Sequence, residues 1–304
     1  MNPIVGIGEV LWDVYPDGRK VAGGAPFNFA FHCHQLGHAS VIVSRVGDDD
    51  LGRELRERVR ELGLSDEYIQ TDRDHPTGTV QVTLDANAVP TYTITENVAW
   101  DFIAWDDKLA GFSRRESAVC FGSLAQRSPR TRETIRKVAP GPTTIGGFQA
   151  QPLFIFDINL RPPYYDRTII EDSLQRCDWA KLNHDELFEL VDLIPLAHFD
   201  EEFPAAELRA TYNFGLACVT RGSDGAFLTT AVELLREPGL PARVVDTVGA
   251  GDAFTAAMVC LHLEGRPLRE CARFANHYAA RVCEQPGGTP RIDRATVERE
   301  AGLS

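Results

Sequence analysis

Apolar and polar positions follow two different periods along the chain, and the changes of period mark out its elements. Ile4 to Gly8 is a short apolar run that predicts a strand. After the turn residues Gly23-Gly24-Ala25-Pro26, a helical run extends from Phe27 to Leu36, and a β-branched strand is expected from Ser40 to Val46. Leu51 to Leu62 reads as an amphipathic helix, with Leu51, Leu55, Val59 and Leu62 on one face and Glu54 and Arg58 as an i, i+4 pair on another. The alternation continues with strands expected at Ala118 to Ser123, Leu153 to Ile158, Ala180 to Leu182 and Leu216 to Thr220. Helices are expected at Arg130 to Val138, Ile169 to Arg176, His184 to Val191 and Leu268 to Val282. This order predicts an α/β fold with a mostly parallel central sheet flanked by helices. No repeat of fixed period is present, which excludes a solenoid or propeller.

Between Thr79 and Glu96 the period changes to two, with Val80, Val82, Leu84, Tyr92 and Ile94 set against Thr and Gln. The pattern predicts an antiparallel ribbon turning around Asn87 to Pro90. Such a ribbon is marginal alone and must cover something. With strands at Leu11 to Tyr15 and Lys20 to Ala22 it predicts a small β-sheet lid, formed by segments about 11–22 and 77–103 of a single domain spanning 1–304. The lid's partner is the ligand, a second subunit in a homodimer, or both.

Charge narrows the partners. With 31 Lys plus Arg against 44 Asp plus Glu, the net charge is -13, which argues against nucleic acid or an anionic membrane but leaves room for a pocket holding one polyphosphate. Seven scattered cysteines without a C-x-x-C pair give neither a disulfide framework nor a zinc signature. With no signal-like amino terminus and no window approaching about 18 apolar residues, a cytoplasmic protein is expected.

The strongest chemical signal is Asp246-Thr-Val-Gly249-Ala250-Gly251-Asp252-Ala-Phe254, which leads into an apolar helical run from Thr255 to Leu263. Glycines at 249 and 251 let backbone approach a ligand at the helix's amino end, where free N–H groups and the helix dipole make an anion site. Asp252 inside that site suits a general base. It takes the proton of an attacking hydroxyl while the N–H groups of Ala250, Gly251 and Asp252 stabilise a transferring phosphoryl group. Asp at a helix start also serves as an N-cap, and the local residues leave both readings open.

This segment resembles the carboxy-terminal signature of the ribokinase-like (PfkB) carbohydrate kinases. Gly23-Gly24-Ala25-Pro26-Phe27-Asn28-Phe29-Ala30 resembles the family's sugar-binding signature, and Asp157-x-Asn159-x-Arg161, Asn183-x-x-Glu186 and Thr220-Arg221-Gly222-x-x-Gly225 lie in order between them. Gly6 to Asp13 and Phe121-Gly122-Ser123-Leu124 are most similar to fructokinases. The resemblance implies a ribokinase-like fold and an ATP- and Mg2+-dependent transfer of the γ-phosphoryl group to a neutral sugar, D-fructose foremost. It places Asp13, Gly24 and Asn28 at the sugar, and Arg161 at the transferring phosphate. Asn183 and Glu186 would form a water-mediated magnesium and phosphate site, though Asn-x-x-Glu is equally a capping-box pattern. Thr220, Gly222 and Gly225 would border the ATP phosphates and ribose, and Asn276 the adenine. Asp246 with the loop Pro286-Gly287-Gly288-Thr289-Pro290 would hold a monovalent cation such as K+.

Other motifs fail. Gly6-x-Gly8 has Leu11 where a dinucleotide fingerprint needs glycine, and no P-loop or protein-kinase motif occurs. His34 and His38 are expected to be packing or surface residues, not metal ligands. Phe27 and Phe29 either narrow the acceptor pocket or pack in the core. From Asp74 through Asp107 there is no Lys or Arg, whereas a sugar already carrying phosphate would need cations nearby. Arg19, Lys20, Arg45 and Arg127 are the cations able to reach the pocket from elsewhere. The alternatives are another sugar or nucleoside kinase of the family (ribokinase, 2-keto-3-deoxygluconate kinase or adenosine kinase type) and a non-catalytic binding protein.

Overall fold

The computed structural model describes residues 2–84, 90–112, 116–142, 144–145, 148–149, 152–194, 196 and 202–303. In chain order the strands are β1 (Ile4–Ile7), β2 (Leu11–Val14), β3 (Lys20–Gly23), β4 (Ser40–Gly47), β5 (Ile69–Asp72), β6 (Thr79–Leu84), β7 (Pro90–Ile94), β8 (Ala118–Phe121), β9 (Thr144–Ile145), β10 (Phe148–Gln149), β11 (Leu153–Asp157), β12 (Trp179–Asn183), β13 (Leu216–Thr220), β14 (Ala226–Thr229) and β15 (Leu234–Glu237). The α-helices are α1 (Ala25–Gln35), α2 (Asp50–Glu61), α3 (Asp107–Phe112), α4 (Pro129–Val138), α5 (Arg167–Leu174), α6 (His184–Leu193), α7 (Glu202–Tyr212), α8 (Ala250–Leu263), α9 (Leu268–Cys283) and α10 (Arg294–Glu300).

The large sheet has the order β15-β14-β13-β12-β11-β8-β1-β4-β5. From β13 to β5 every pairing is parallel, and β14 and β15 close one edge as an antiparallel hairpin. Its central strands are buried throughout and, but for Asp157 at the end of β11, apolar, as strands covered on both faces are. One apolar layer lies between the sheet and α4 to α7, and another between the sheet and the helices α1, α8 and α9. Helix α8 is apolar on nearly every side because it lies within that second layer.

A separate four-stranded sheet, order β3-β2-β6-β7, contains the expected ribbon. The turn expected around Asn87 lies outside the described residues up to Pro90. Val80 pairs with Ile94 and Val82 with Tyr92 across β6 and β7, and Val80 and Val82 are already buried within the chain. One local expectation is corrected: Glu54 takes Lys20, which projects from β3, and Arg58 takes Glu61 instead. Phe27 and Phe29 are fully buried core residues, because α1 is covered on most of its circumference. Among the described residues no helix is long and apolar enough to cross a membrane.

Candidate active site

In a parallel sheet flanked by helices, the carboxyl ends of the strands leave a crevice where the chain order reverses, here on either side of β1. A cavity of about 570 Å3 occupies that crevice. Glu9 enters from the end of β1, Asn159 and Arg161 from β11, Lys181 and Asn183 from β12, Thr220 and Gly222 from β13, and Thr247 to Gly249 with Gly251 and Asp252 from the start of α8. Asp13, Gly24 and Asn28 lie at the β1 side, where Val80, Tyr92 and Ile94 of the small sheet form a wall. The apolar face of the ribbon therefore looks into the cavity.

Helix α8 starts one turn earlier than its apolar run suggested. Gly249 is its cap residue, in the left-handed region with φ 76°. A side chain there would be strained, and its Cβ would meet the Cα of Gly288 at 2.6 Å. Asp252 consequently sits in the first turn and is not the N-cap. Only 8% exposed, it accepts a hydrogen bond from Asn28 Nδ2 at 2.8 Å. Burial and the neighbouring Asp157 push its carboxyl up, against the pull of Lys181, Asn28 and Arg161. A carboxylate poised in this way is a stronger proton acceptor than an exposed one.

Beneath the anion loop lies a buried network. Lys181 Nζ is 3.1 Å from Asp157 Oδ1, and Thr255 Oγ1 donates its one proton to Asp157 Oδ2 at 2.7 Å while lying 3.0 Å from the carbonyl of Gly251. A Cβ on Gly251 would come within 2.8 Å of the Lys181 ammonium. Burial opposes that charge, but Asp157, Glu186 and Asp252 together hold its pKa above the ordinary lysine value. Lys181 was missed in the sequence, although a lysine inside the apolar run Trp179-Ala-Lys-Leu-Asn183 signals a charge that must find a partner. Glu9 was missed as well. It is 5% exposed, accepts from the amide of Ala25 at 3.3 Å through one oxygen, leaves the other without a partner among the described residues, and is pushed up to about 7 by burial.

The remaining predicted residues divide. Asp13 lines the cavity and is pushed up to about 6 by burial and then by Asp246. Gly24, with φ 116°, lets α1 start against the carbonyl of Glu9, which a Cβ would meet at 2.3 Å. Arg161 Nη2 donates to Asn159 Oδ1 at 3.2 Å, and the side-chain amide nitrogen of Asn159 has no partner among the described residues. Asn183 and Glu186 line the cavity and also form a capping box, each bonding the other's backbone N–H. Glu186 additionally accepts from the amide of Leu160 at 3.0 Å. Asp246 lies behind the lining, where its two oxygens accept from the amides of Val248 and Gly287 and tie the anion loop to the 286–290 loop. Ala250 is also outside the lining, its amide turned toward the carbonyl of Thr247 at 3.3 Å. Gly225 and Asn276 do not line the cavity; both flank Pro238, to whose carbonyl Asn276 donates at 2.9 Å.

The four outlying cations are engaged elsewhere. Arg127 pairs with Asp101 at 2.8 Å and lies over Trp100, Arg45 pairs with Asp72 at 2.7 Å, Lys20 pairs with Glu54, and Arg19 lies over Tyr15. Among the described residues, only Arg161 and Lys181 bring positive charge to the lining.

The chain matches the pfkB family of carbohydrate kinases over residues 14–294. It is 28% identical over 263 residues to a fructokinase of Klebsiella pneumoniae, covering 83% of this chain and 82% of that one. An aminoimidazole riboside kinase of Salmonella typhimurium is 27% identical over 272 residues, 85% of this chain and 80% of its own. The crystal structure of a sugar kinase from Pyrococcus horikoshii in complex with ATP superposes with a TM-score of 0.79 at 26% identity, covering 99% of both chains.

Proposed function

The chain belongs to the pfkB family of carbohydrate kinases, and on that premise we propose that its cavity transfers the γ-phosphoryl group of ATP to a hydroxyl of a neutral monosaccharide, D-fructose foremost. The charge distribution carries this reading. Both cations of the lining stand on the β11 and β12 side, whereas the β1 side offers Glu9, Asp13 and Asn28, which bond hydroxyls and bring no cation for a phosphate on the sugar. Asp252 takes the hydroxyl proton, and the N–H groups of Gly251 and Asp252 in the first turn of α8 receive the charge of the moving phosphoryl group. Arg161 and Lys181 offset that charge from the side. Asp13, Gly24 and Asn28 hold the sugar, and Asn183, Thr220 and Gly222 the nucleotide's phosphates and ribose, with Gly225 behind them and Asn276 toward the adenine, both outside the lining. The small sheet serves as a lid of the single domain.

No cluster of three or more metal-ligating side chains occurs among the described residues. Glu186, a carboxylate of the lining with lone pairs beyond its two amide bonds, fits Mg2+, which is commonly held by substrate phosphates, water and one or two carboxylates. Glu186 would be that carboxylate, and the ion would supply charge neutralisation on the phosphates. Asp246, with lone pairs beyond its two amide bonds, fits a monovalent cation such as K+ beside the anion loop.

A coupled ADP-release assay over D-fructose, ribose, adenosine, an aminoimidazole riboside, 2-keto-3-deoxygluconate and sugar phosphates tests the reading. D-fructose is expected to give the highest kcat/KM. A competitor preferred by tenfold, about 1.4 kcal/mol of transition-state preference, overturns the choice of sugar, and no turnover at all overturns the kinase reading. The riboside stands second because a riboside kinase is as similar to the chain as the fructokinase is.

A further inference from the structure

His32, on the buried face of α1, is fully enclosed and makes two hydrogen bonds, Nδ1 with the hydroxyl of Tyr278 and Nε2 with the carbonyl of Gly288, both at 3.0 Å. The direction of each bond follows from its neighbours. Gln35 Oε1 accepts from the amide of Ile292 at 2.8 Å, so its Nε2 is the donor that reaches the Tyr278 oxygen at 2.7 Å. Tyr278 then gives its own proton to Nδ1, which leaves the imidazole proton on Nε2, pointing at Gly288. Burial pushes the ring down to about 4, so it stays neutral in ordinary buffers.

Gly288 is wedged between two parts of the site. Its Cα lies where a Cβ of Gly249 would be, at 2.6 Å, and a Cβ of its own would meet the amide of Asn28 at 2.8 Å. Asn28, one helical turn before His32 on the same face, is the partner of Asp252. We propose that His32 is a positioning residue for phosphoryl transfer: by donating from Nε2 to the carbonyl of Gly288 it presses the 286–290 loop against Gly249 and Asn28, and so sets the distance between the anion loop and the base's partner. The inference rests on the roles given above to Asp252 and the anion loop.

Two variants separate the bonds. In His32→Gln the amide nitrogen reaches the Nε2 position and keeps the donor to Gly288, whereas in His32→Asn the amide oxygen keeps only the acceptor for Tyr278. His32→Gln is expected to retain kcat within about threefold, and His32→Asn to lose roughly 10- to 100-fold in kcat with both KM values little changed, as small misplacements do. Hydrogen exchange in 286–290 should quicken in His32→Asn and not in His32→Gln. Equal kcat and equal exchange in the two variants overturn the inference, as do equal losses that follow their melting temperatures. Should both fail to fold, nitrogen NMR of the wild-type protein reads the tautomer: a proton on His32 Nε2 supports the proposal, and a proton on Nδ1, which leaves Gly288 without its donor, overturns it. Exchange needs no substrate, so it decides the inference even where the wild type turns over no sugar and the kinase reading fails.

Discussion

Replacing Asp252 by Asn removes one proton-accepting oxygen and changes almost nothing else. The Asn28 Nδ2 bond, 2.8 Å long, survives when the new amide presents its oxygen. The buried site loses a charge that burial and Asp157 disfavour, so the melting temperature at pH 8 should stay level or rise. General-base catalysis supplies roughly 10²- to 10⁴-fold, about 2.7 to 5.4 kcal/mol of barrier at 1.36 kcal/mol per tenfold. Turnover by coupled ADP release should fall by that factor. ATP affinity by calorimetry should stay within about threefold, since a residue acting in the transition state is removed and not a ground-state contact. A variant with kcat within about threefold of the wild type would show that the proton leaves by another route, and one that loses ATP affinity and stability together would make Asp252 a structural residue.

Lys181→Met leaves Asp157 buried with only Thr255 as partner, and breaking a buried pair from one side costs about 3 to 5 kcal/mol; urea unfolding should show that loss, with partial recovery in Lys181→Met/Asp157→Asn. A loss under about 1 kcal/mol would mean water or rearrangement serves Asp157. Glu9, raised to about 7 when folded, binds its proton more tightly in the native state, so its contribution is whole below the unfolded value and is lost as pH rises through about 7. The melting temperature of Glu9→Gln relative to the wild type should therefore climb from pH 5 to about pH 7.5 and then level off. A pH-independent difference would place Glu9 in contact with water or with a partner that holds its charge.

The elements that position the site were legible because their causes are local. Val5 and Ile7, or Leu55 and Val59, report their own burial through spacing, and Gly249, Gly251 and Asp252 stand within one turn of the helix they serve. Strand β5, helix α7 and the β14–β15 hairpin escaped because short or mixed segments carry little period, and packing against the sheet decides them. Asn276, expected near the adenine, donates to the carbonyl of Pro238, a contact set by a loop some forty positions away. His34 and His38 drew attention as a spaced pair, while His32, between them and Asn28 on the same helix, is the histidine that reaches the 286–290 loop.

Sequence alone determined the alternation of the longer strands and helices, the anion loop and the excess of acid, since propensity, period and composition act over a few residues or over the whole chain at once. Tertiary structure decided that Asn28 meets Asp252 across 224 positions, that Lys181 and not Arg127 faces the cavity, and that Glu9 holds a proton near neutrality. Those outcomes depend on desolvation and on Coulomb interactions across a few ångströms, and such distances come into being only when segments remote in the chain are packed together.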